Sequence, residues 1–558
     1  MDMRAEQCAV HVGSGPSAHV DTFTRDHLPS VDERPEFVFE ASLRYSAKLN
    51  CAEELLDRAV AGRHAQRPAI YAPGPAGKTL LTYRELLARS NQIAHFVKDD
   101  LGLVPGNRVL LRSANNPMLA QCLLGVWKAG GVIVPTMRLL REKELRTIIG
   151  KAKIDFALCD VRLKDELEAA AADFPHLKRI VTFNSDEPGS LERLMESKPV
   201  VFDNVATAAD DVALIAFTSG TTGEPKGVMH FHRDVMLMCD CWPASILKPN
   251  ENDVFCGTPP LAFTYGLGTM LSVPLRFGAS VVLVEQLTAA TLLQTIQDCR
   301  ATFCATVPTY SLQMAPLAGK DDISSLRRPV SSGEALPQST WQKFREATGL
   351  ELIDGLGTTE MMQTFISHTP EARRSSAIGT VIPGYIATVL DEHGKPCAPG
   401  TVGRLAGKGP SGCLYLDAPQ QQGKTVQGGC NITGDACVMD AQGYFFTRGR
   451  IDDMIVSAGY NIDGLEIESV LLEHEAVAEC AVVGLPDLAR GSIVSAFVVL
   501  KPDHTSGEAL AKHLQEHVKS RLAPYKYPRR IEFIASLPRT ETGKLQRFKL
   551  ARRGYEGA

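Results

Sequence analysis

Phe217-Thr-Ser-Gly-Thr-Thr-Gly-Glu-Pro-Lys-Gly227 follows an apolar run, residues 212–217, that reads as a buried strand. The stretch holds Gly220, Gly223 and Gly227, four hydroxyls (Thr218, Ser219, Thr221 and Thr222) and Lys226. Glycines let main-chain N–H groups converge on an anion, hydroxyls donate further hydrogen bonds and a lysine adds charge. That is the inventory of a polyphosphate cradle. It is not the common nucleotide P-loop, because no Gly-Lys-Ser/Thr stands at the required spacing. Gly- and Thr-rich segments are often plain surface turns. One this dense, directly after a core strand, reads as a ligand loop.

Outward from this loop, strands and helices alternate. On the N-terminal side Thr82-Tyr-Arg-Glu85 has capping-box spacing, with Leu86, Ile93 and Val97 in helical period behind it. Residues 108–111, 131–135, 155–159 and 178–183 read as strands, and 117–129, 140–153 and 163–174 as the helices between them. On the C-terminal side the pattern resumes with strands at 281–285, 302–307, 329–332 and 351–354. Such alternation predicts an α/β lobe of two doubly wound, mostly parallel sheets. Ligands of these sheets sit beyond the carboxyl ends of the strands. After about residue 380 short strands and hairpins at 387–391, 403–406 and 437–447 predict a β-rich subdomain. From 450 to 558 a helix, two strands, a helix faced by Leu510, Leu514, Val518 and Leu522, and a last strand predict a small α+β domain. The expected boundary therefore lies between residues 449 and 450, while residues 1 to about 50 are polar and irregular and wrap the larger lobe.

A chain of 558 residues exceeds what one core usually organises, which agrees with two domains. A net charge of −5 gives no electrostatic reason to expect nucleic acid or an anionic membrane as partner. No apolar run reaches membrane-spanning length, and the first residues lack the apolar core of a signal peptide. Fourteen cysteines are scattered through apolar contexts, which reads as reduced thiols in a cytoplasmic protein.

The loop and four later motifs, in this order, resemble the adenylate-forming superfamily of acyl- and aryl-CoA synthetases, luciferases and peptide-synthetase adenylation domains. Ser332-Gly-Glu-Ala-Leu-Pro337 resembles its adenine-site segment, which implies that Gly333, Glu334 and Ala335 lie along the base. Asp354-Gly355-Leu356-Gly357-Thr358-Thr359-Glu360 resembles the segment in which, by implication, Thr359 bonds the α-phosphate and Glu360 holds Mg²⁺. Such an ion prefers one or two carboxylates together with phosphate oxygens. Leu356 departs from the aromatic that many members place against adenine. Thr433-Gly-Asp435 and Gly449-Arg450 resemble the ribose clamp.

Pro538-Arg-Thr-Glu-Thr-Gly-Lys544 resembles the closing motif, whose lysine bridges the carboxylate and the α-phosphate as they meet. By the same resemblance Asp452 is a hinge, and Ser457, Ala458, Gly459 and Tyr460 line a pantetheine tunnel once the small domain has turned. The resemblance implies ATP, Mg²⁺ and coenzyme A as reactants and cofactor, and a homodimer is one assembly it allows.

Pro260-Leu-Ala-Phe-Thr-Tyr-Gly-Leu-Gly268 stands where the superfamily builds its acyl pocket and looks like benzoate-CoA ligases. Phe263 and Tyr265 can box a flat ring, with Gly266 beside them, although both could pack the core and Phe263 suits that role equally well. Thr264 replaces the alanine expected there, and a hydroxyl at that point suits a polar ortho substituent. The resemblance is greatest to 2-aminobenzoate-CoA ligases. Two other readings share the motifs: an adenylation enzyme that loads a carrier protein, and a non-catalytic nucleotide-binding regulator. His230-Phe-His232 has a strand metal-ligand spacing but no cysteine or carboxylate cluster to complete it.

Overall fold

The computed structural model describes residues 15–74, 77–218, 225–453, 455–457, 460–487, 491–522, 526–539 and 545–556. Its first sheet follows from runs that are apolar without alternation, the mark of strands covered on both faces. Arg108–Arg112, Val132–Thr136 and Phe156–Asp160 are buried at every position. They lie in a six-stranded sheet ordered Arg179–Phe183, Phe156–Asp160, Arg108–Arg112, Val132–Thr136, Val212–Thr218, Lys226–Phe231. The first five strands are parallel and the last returns antiparallel to Val212–Thr218. The glycine-rich stretch thus joins two strands of an edge hairpin. It does not lead from a strand into a helix.

The second sheet has nine strands, in the order Thr380–Val381, Thr364–Ser367, Ile353–Gly357, Arg328–Ser332, Phe303–Thr306, Val254–Gly257, Ser280–Val282, Pro68–Gly74, Gly77–Thr82. Its middle is parallel from Ile353–Gly357 through to Pro68–Gly74, and antiparallel strands close both edges. The capping box predicted at Thr82 is present: its hydroxyl accepts from Glu85 N–H, and the Glu85 carboxylate accepts from Thr82 N–H. One continuous apolar cluster runs between the two sheets, from Leu110 and Trp127 to Phe255 and Ile353.

The β-rich subdomain is a five-stranded antiparallel sheet of Ile386–Leu390, Val402–Lys408, Cys430–Met439, Val426–Gln427 and Phe445–Arg450. Residues 15–50 do more than wrap a surface. Phe37, Phe39, Leu43 and Leu49 are buried, Phe37 bridges Gly409, and Lys48 bridges Ala208. This strap ties the first sheet to the β-rich subdomain.

The C-terminal part has a core of its own, built from Ile455, Ile467, Leu471, Val482, Val498, Leu514 and Val518. Those residues come from the hairpin Ile455–Ser457/Tyr460–Ile462, the strands Val477–Asp487 and Gly491–Leu500, and the helices Gly464–Leu471 and Glu508–Lys519. Arg530–Phe533 adds a parallel third strand and Arg547–Glu556 a final helix. Among the described residues every cysteine is a free thiol, and no helix is long and apolar enough to cross a membrane.

Candidate active site

Strands that run the same way end on the same edge of a sheet, and this edge gathers the predicted residues. The acyl segment follows Val254–Gly257, the adenine segment follows Arg328–Ser332, and the Thr-Glu segment follows Ile353–Gly357. Thr306 lies opposite Ser331, Ser331 opposite Asp354, and Ser332 opposite Gly355, so adjacent carboxyl ends are in register. Ser332 Oγ donates to Gly355 O at 2.7 Å, which holds the adenine and Thr-Glu segments together.

Asp354 is buried, and its main chain is fixed on both sides. Its N–H donates to His368 Nε2 at 3.1 Å, while Ser367 Oγ donates to its carbonyl at 2.6 Å. Burial pushes the Asp354 carboxyl up to about 7, and burial likewise lowers His368 to about 4. A neutral His368 fits this geometry, since Nδ1 donates to Thr369 O while Nε2 accepts. His368, which belongs to none of the sequence motifs, therefore positions the Asp354 backbone.

Beyond Gly357 the chain turns sharply. A Cβ on Gly357 would lie 2.5 Å from Gln363 O, so only glycine fits. Thr358 Oγ1 accepts from Met361 N–H at 3.1 Å and shapes the turn. Thr359 O accepts from His230 Nε2 at 2.9 Å. His230 belongs to the strand Lys226–Phe231, so the Thr-Glu turn is anchored directly to the hairpin that bears the glycine-rich loop.

Of that loop, Thr218 and Lys226 pair with each other at the hairpin's turn end. Ser219, Gly220, Thr221, Thr222 and Gly223 lie outside the described residues, as do Ala458, Gly459 and Lys544. Residues 414–416 run along the outer side of the hairpin: Met229 N–H donates to Leu414 O and Leu416 N–H to Gly227 O, each at 2.8 Å. Tyr415 is thereby placed to donate its hydroxyl to Glu360 Oε1 at 2.6 Å. Burial lowers the Lys226 ammonium, and the nearby Glu360 carboxylate opposes that shift. Lys226, Glu360 and Tyr415 thus form one cluster beside the loop. Tyr415 belongs to none of the sequence motifs, and only the strand pairing reveals it.

The two ribose-clamp candidates are neighbours. Asp435 and Arg450 pair across Cys430–Met439 and Phe445–Arg450, and Arg450 Nη1 donates to Asp435 Oδ1 at 3.1 Å. Gly434 between them has φ +78°, and a Cβ there would meet Arg450 Nη2 at 2.4 Å.

In the acyl segment a short helix, Thr264–Leu267, starts at Phe263. Asn115 holds the approach to it, donating to Pro259 O at 2.9 Å and accepting from Leu261 N–H at 2.8 Å. Tyr265 Oη donates to Thr306 O at 3.2 Å, which ties the helix to the carboxyl end of a strand two places from Ile353–Gly357. Thr264 is buried, Phe263 and Tyr265 are half-buried, and Gly266 packs against the Pro260 carbonyl. Ser457 and Tyr460 pair in the hairpin of the C-terminal part. That part meets the larger lobe through Leu545 N–H, which donates to Glu334 Oε1 at 3.2 Å, and Lys343 Nζ, which donates to Leu472 O at 3.3 Å.

The sequence matches the AMP-binding enzyme family over residues 56–414 and the AMP-binding enzyme C-terminal domain over residues 466–544. The chain belongs to this family. Among curated proteins it is 34% identical to the benzoate–CoA ligase of Thauera aromatica over 515 residues, 91% of this chain and 97% of that one. A crystal structure of the anthranilate CoA ligase AuaEII in complex with anthranoyl-AMP superposes with a TM-score of 0.86 at 32% identity, covering 92% of this chain and 99% of that one. A benzoate CoA ligase from Burkholderia xenovorans LB400 gives a TM-score of 0.82 at 32% identity, covering 90% and 100%. The protein is an AMP-forming acyl- or aryl-CoA ligase, whose reaction uses ATP, Mg²⁺ and CoA. Among the described residues no group of three or more His, Cys, Asp or Glu side chains is arranged to hold a metal. A single carboxylate such as Glu360, completed by phosphate oxygens, matches what Mg²⁺ accepts.

Proposed function

We propose that the enzyme joins a small aromatic carboxylic acid, 2-aminobenzoate in preference to benzoate, to coenzyme A through an aryl-adenylate. The observation that carries this reading is the acyl segment at the sheet edge. A half-buried Phe263 and Tyr265 flank a buried Thr264, with Tyr265 tied to the strand end that neighbours the nucleotide segments. Aromatic walls favour a flat ring, and a threonine hydroxyl among them can accept from an ortho amino group. The similarity to ligases named for benzoate and anthranilate supports the same class.

In this reading residues 1–449 bind ATP and the acid, and residues 450–558 carry Lys544. Gly333, Glu334 and Ala335 line adenine, with Asp354, Gly355, Leu356 and Gly357 beneath it. Asp435 and Arg450 take the ribose hydroxyls. Thr218 to Gly223, Lys226, Thr358 and Thr359 hold the phosphates, with Thr359 on the α-phosphate. Glu360, oriented by Tyr415, holds Mg²⁺, which would neutralise phosphate charge. Lys544 steadies the carboxylate and the α-phosphate as the acid attacks and pyrophosphate departs. The small domain then turns about Asp452, and Ser457 to Tyr460 admit the thiol that displaces AMP. The enzyme works in the cytoplasm.

The test is pyrophosphate release across substituted benzoates, phenylacetate, cinnamate and fatty acids, with and without CoA. The highest kcat/KM is expected for 2-aminobenzoate, and AMP release should be stimulated by CoA alone. Thr264→Ala should lower the preference for 2-aminobenzoate over benzoate by about tenfold, the scale of one lost hydrogen bond in a pocket. Equal use of the two acids by both proteins would refute the assignment.

A further inference from the structure

Glu334 was expected to serve adenine through its main chain, yet its side chain points to a different task. Arg539 and Leu545 form an antiparallel bridge, and Gln546 N–H donates to Pro538 O at 2.8 Å. These contacts form a stem from the two chain segments that flank residues 540–544 in sequence. Glu334, on the larger lobe, grips both sides of that stem. Its Oε1 accepts from Leu545 N–H at 3.2 Å and lies 3.6 Å from Arg539 Nη1. Thr309 Oγ1 donates to its other oxygen at 3.4 Å, which orients the carboxylate from its own lobe.

We propose that the Glu334 carboxylate is a positioning residue for the first half-reaction, a clasp that sets the stem of the Lys544 segment against the nucleotide site. This rests on the two-position reading given above.

Three features fit a clasp that must also let go. The grip is a charge-assisted hydrogen bond and an ion pair whose carboxylate is 16% exposed, strong enough to bias an equilibrium and too small to lock it. Arg539 has a second carboxylate inside its own lobe, Glu479 at 2.8 Å, so its charge keeps a partner when the lobes part. The stem is stiffly mounted. Arg547, just beyond it, donates to both Glu468 oxygens at 2.7 Å, and Glu468 in turn accepts from Val482 N–H at 2.7 Å, so force at the stem reaches the small domain's core strand. Because Glu334 touches this stem only when the small domain faces the nucleotide, it adds stability to that arrangement alone.

The experiment separates the half-reactions in Glu334→Gln and Arg539→Gln. Single-turnover pyrophosphate formation without CoA reports adenylation, and thioester formation from supplied aryl-AMP reports the second step. Each variant should slow adenylation about tenfold at saturating ATP, with a far smaller change in the second step. In the double variant the two losses should fall well short of multiplying, because both remove one contact. Adenylation restored by saturating ATP would assign Glu334 to the adenine wall and overturn the clasp. So would unchanged adenylation, or equal loss in both steps. Lys544→Ala run alongside keeps the two ideas apart. If Lys544→Ala is selective for adenylation while the clasp variants are not, only the clasp fails. If Lys544→Ala slows both steps alike, the two-position reading fails.

Discussion

At the scale of single residues, the decisive contacts are those that hold a reacting group by its neighbour. Tyr415 donates to Glu360 at 2.6 Å, a short bond to a carboxylate and therefore a strong one. Tyr415→Phe keeps the ring in its packing and deletes only that bond. It should lower adenylation by about tenfold and raise the Mg²⁺ concentration needed for half-maximal pyrophosphate release, the scale expected for a lost charged hydrogen bond. An unchanged Mg²⁺ dependence would show that Tyr415 is packing alone. Asp354 offers a pH test. Its carboxyl ordinarily titrates at 3.8 and burial raises it to about 7. Between those values the folded protein holds this proton and the unfolded chain releases it. The cost of burial is therefore absent below pH about 4 and grows as pH rises to about 7. The melting temperature of Asp354→Asn relative to wild type should rise across that window, and a flat difference would contradict the assignment. Glu360, Asp354 and Asp435 were legible because each stands in a contiguous motif. Tyr415 and the role of His230 were not, because each makes its contact across segments far apart in sequence, Tyr415 through the bridge at Val228 and His230 through its bond to Thr359 O.

At the scale of elements, the acyl segment shows how backbone crowding fixes a site. A Cβ on Gly266 would lie 1.9 Å from the Pro260 carbonyl oxygen, a main-chain atom that cannot rotate away. Gly266→Ala must therefore move the turn before the helix Thr264–Leu267. Overpacking of this kind costs about 1–3 kcal/mol. The variant should show a lower melting temperature and a KM for the aromatic acid raised at least tenfold, with the KM for ATP nearly unchanged. A rise shared equally by both substrates would mean that the turn supports the whole edge. Periodicity revealed the central strands, since residues buried on both faces form unbroken apolar runs. It missed Pro68–Gly74 and Gly77–Thr82, where two prolines and a glycine in the first strand read as loop. Those prolines are tolerated near the sheet's edge, where a missing N–H leaves few partners wanting. The return strand Lys226–Phe231 was also hidden, because its first two residues, Lys226 and Gly227, are the last of the glycine-rich stretch and read as loop.

At the scale of the whole molecule, the proposed function assigns the described arrangement of the lobes to one half-reaction only. The stem contacts at Glu334 and the Lys343 bond to Leu472 hold the C-terminal part against the larger lobe, and the proposed function has Ser457 and Tyr460, which pair within that same part, arrive later by rotation. The connection between the lobes is short: Phe445–Arg450 ends the larger lobe's sheet and a single turn of 3₁₀ helix, Ile451–Asp453, follows. A rotation confined to so few residues has to be absorbed by large changes in φ and ψ there. Proline fixes φ near −65° and restricts the residue before it, so Asp452→Pro should hinder that rotation. Adenylation, measured as pyrophosphate formed in one turnover, should persist within about threefold, because the lobes already stand in the arrangement that it needs. Thioester formation should fall by about a hundredfold or more, a hindered rotation being worth several kcal/mol of barrier. Aryl-AMP would then accumulate on the enzyme, where acid quenching and chromatography can count it. Loss of adenylation with retained thioester formation would mean that the described arrangement is the thiol-accepting one, and would reverse the order assigned to the two positions.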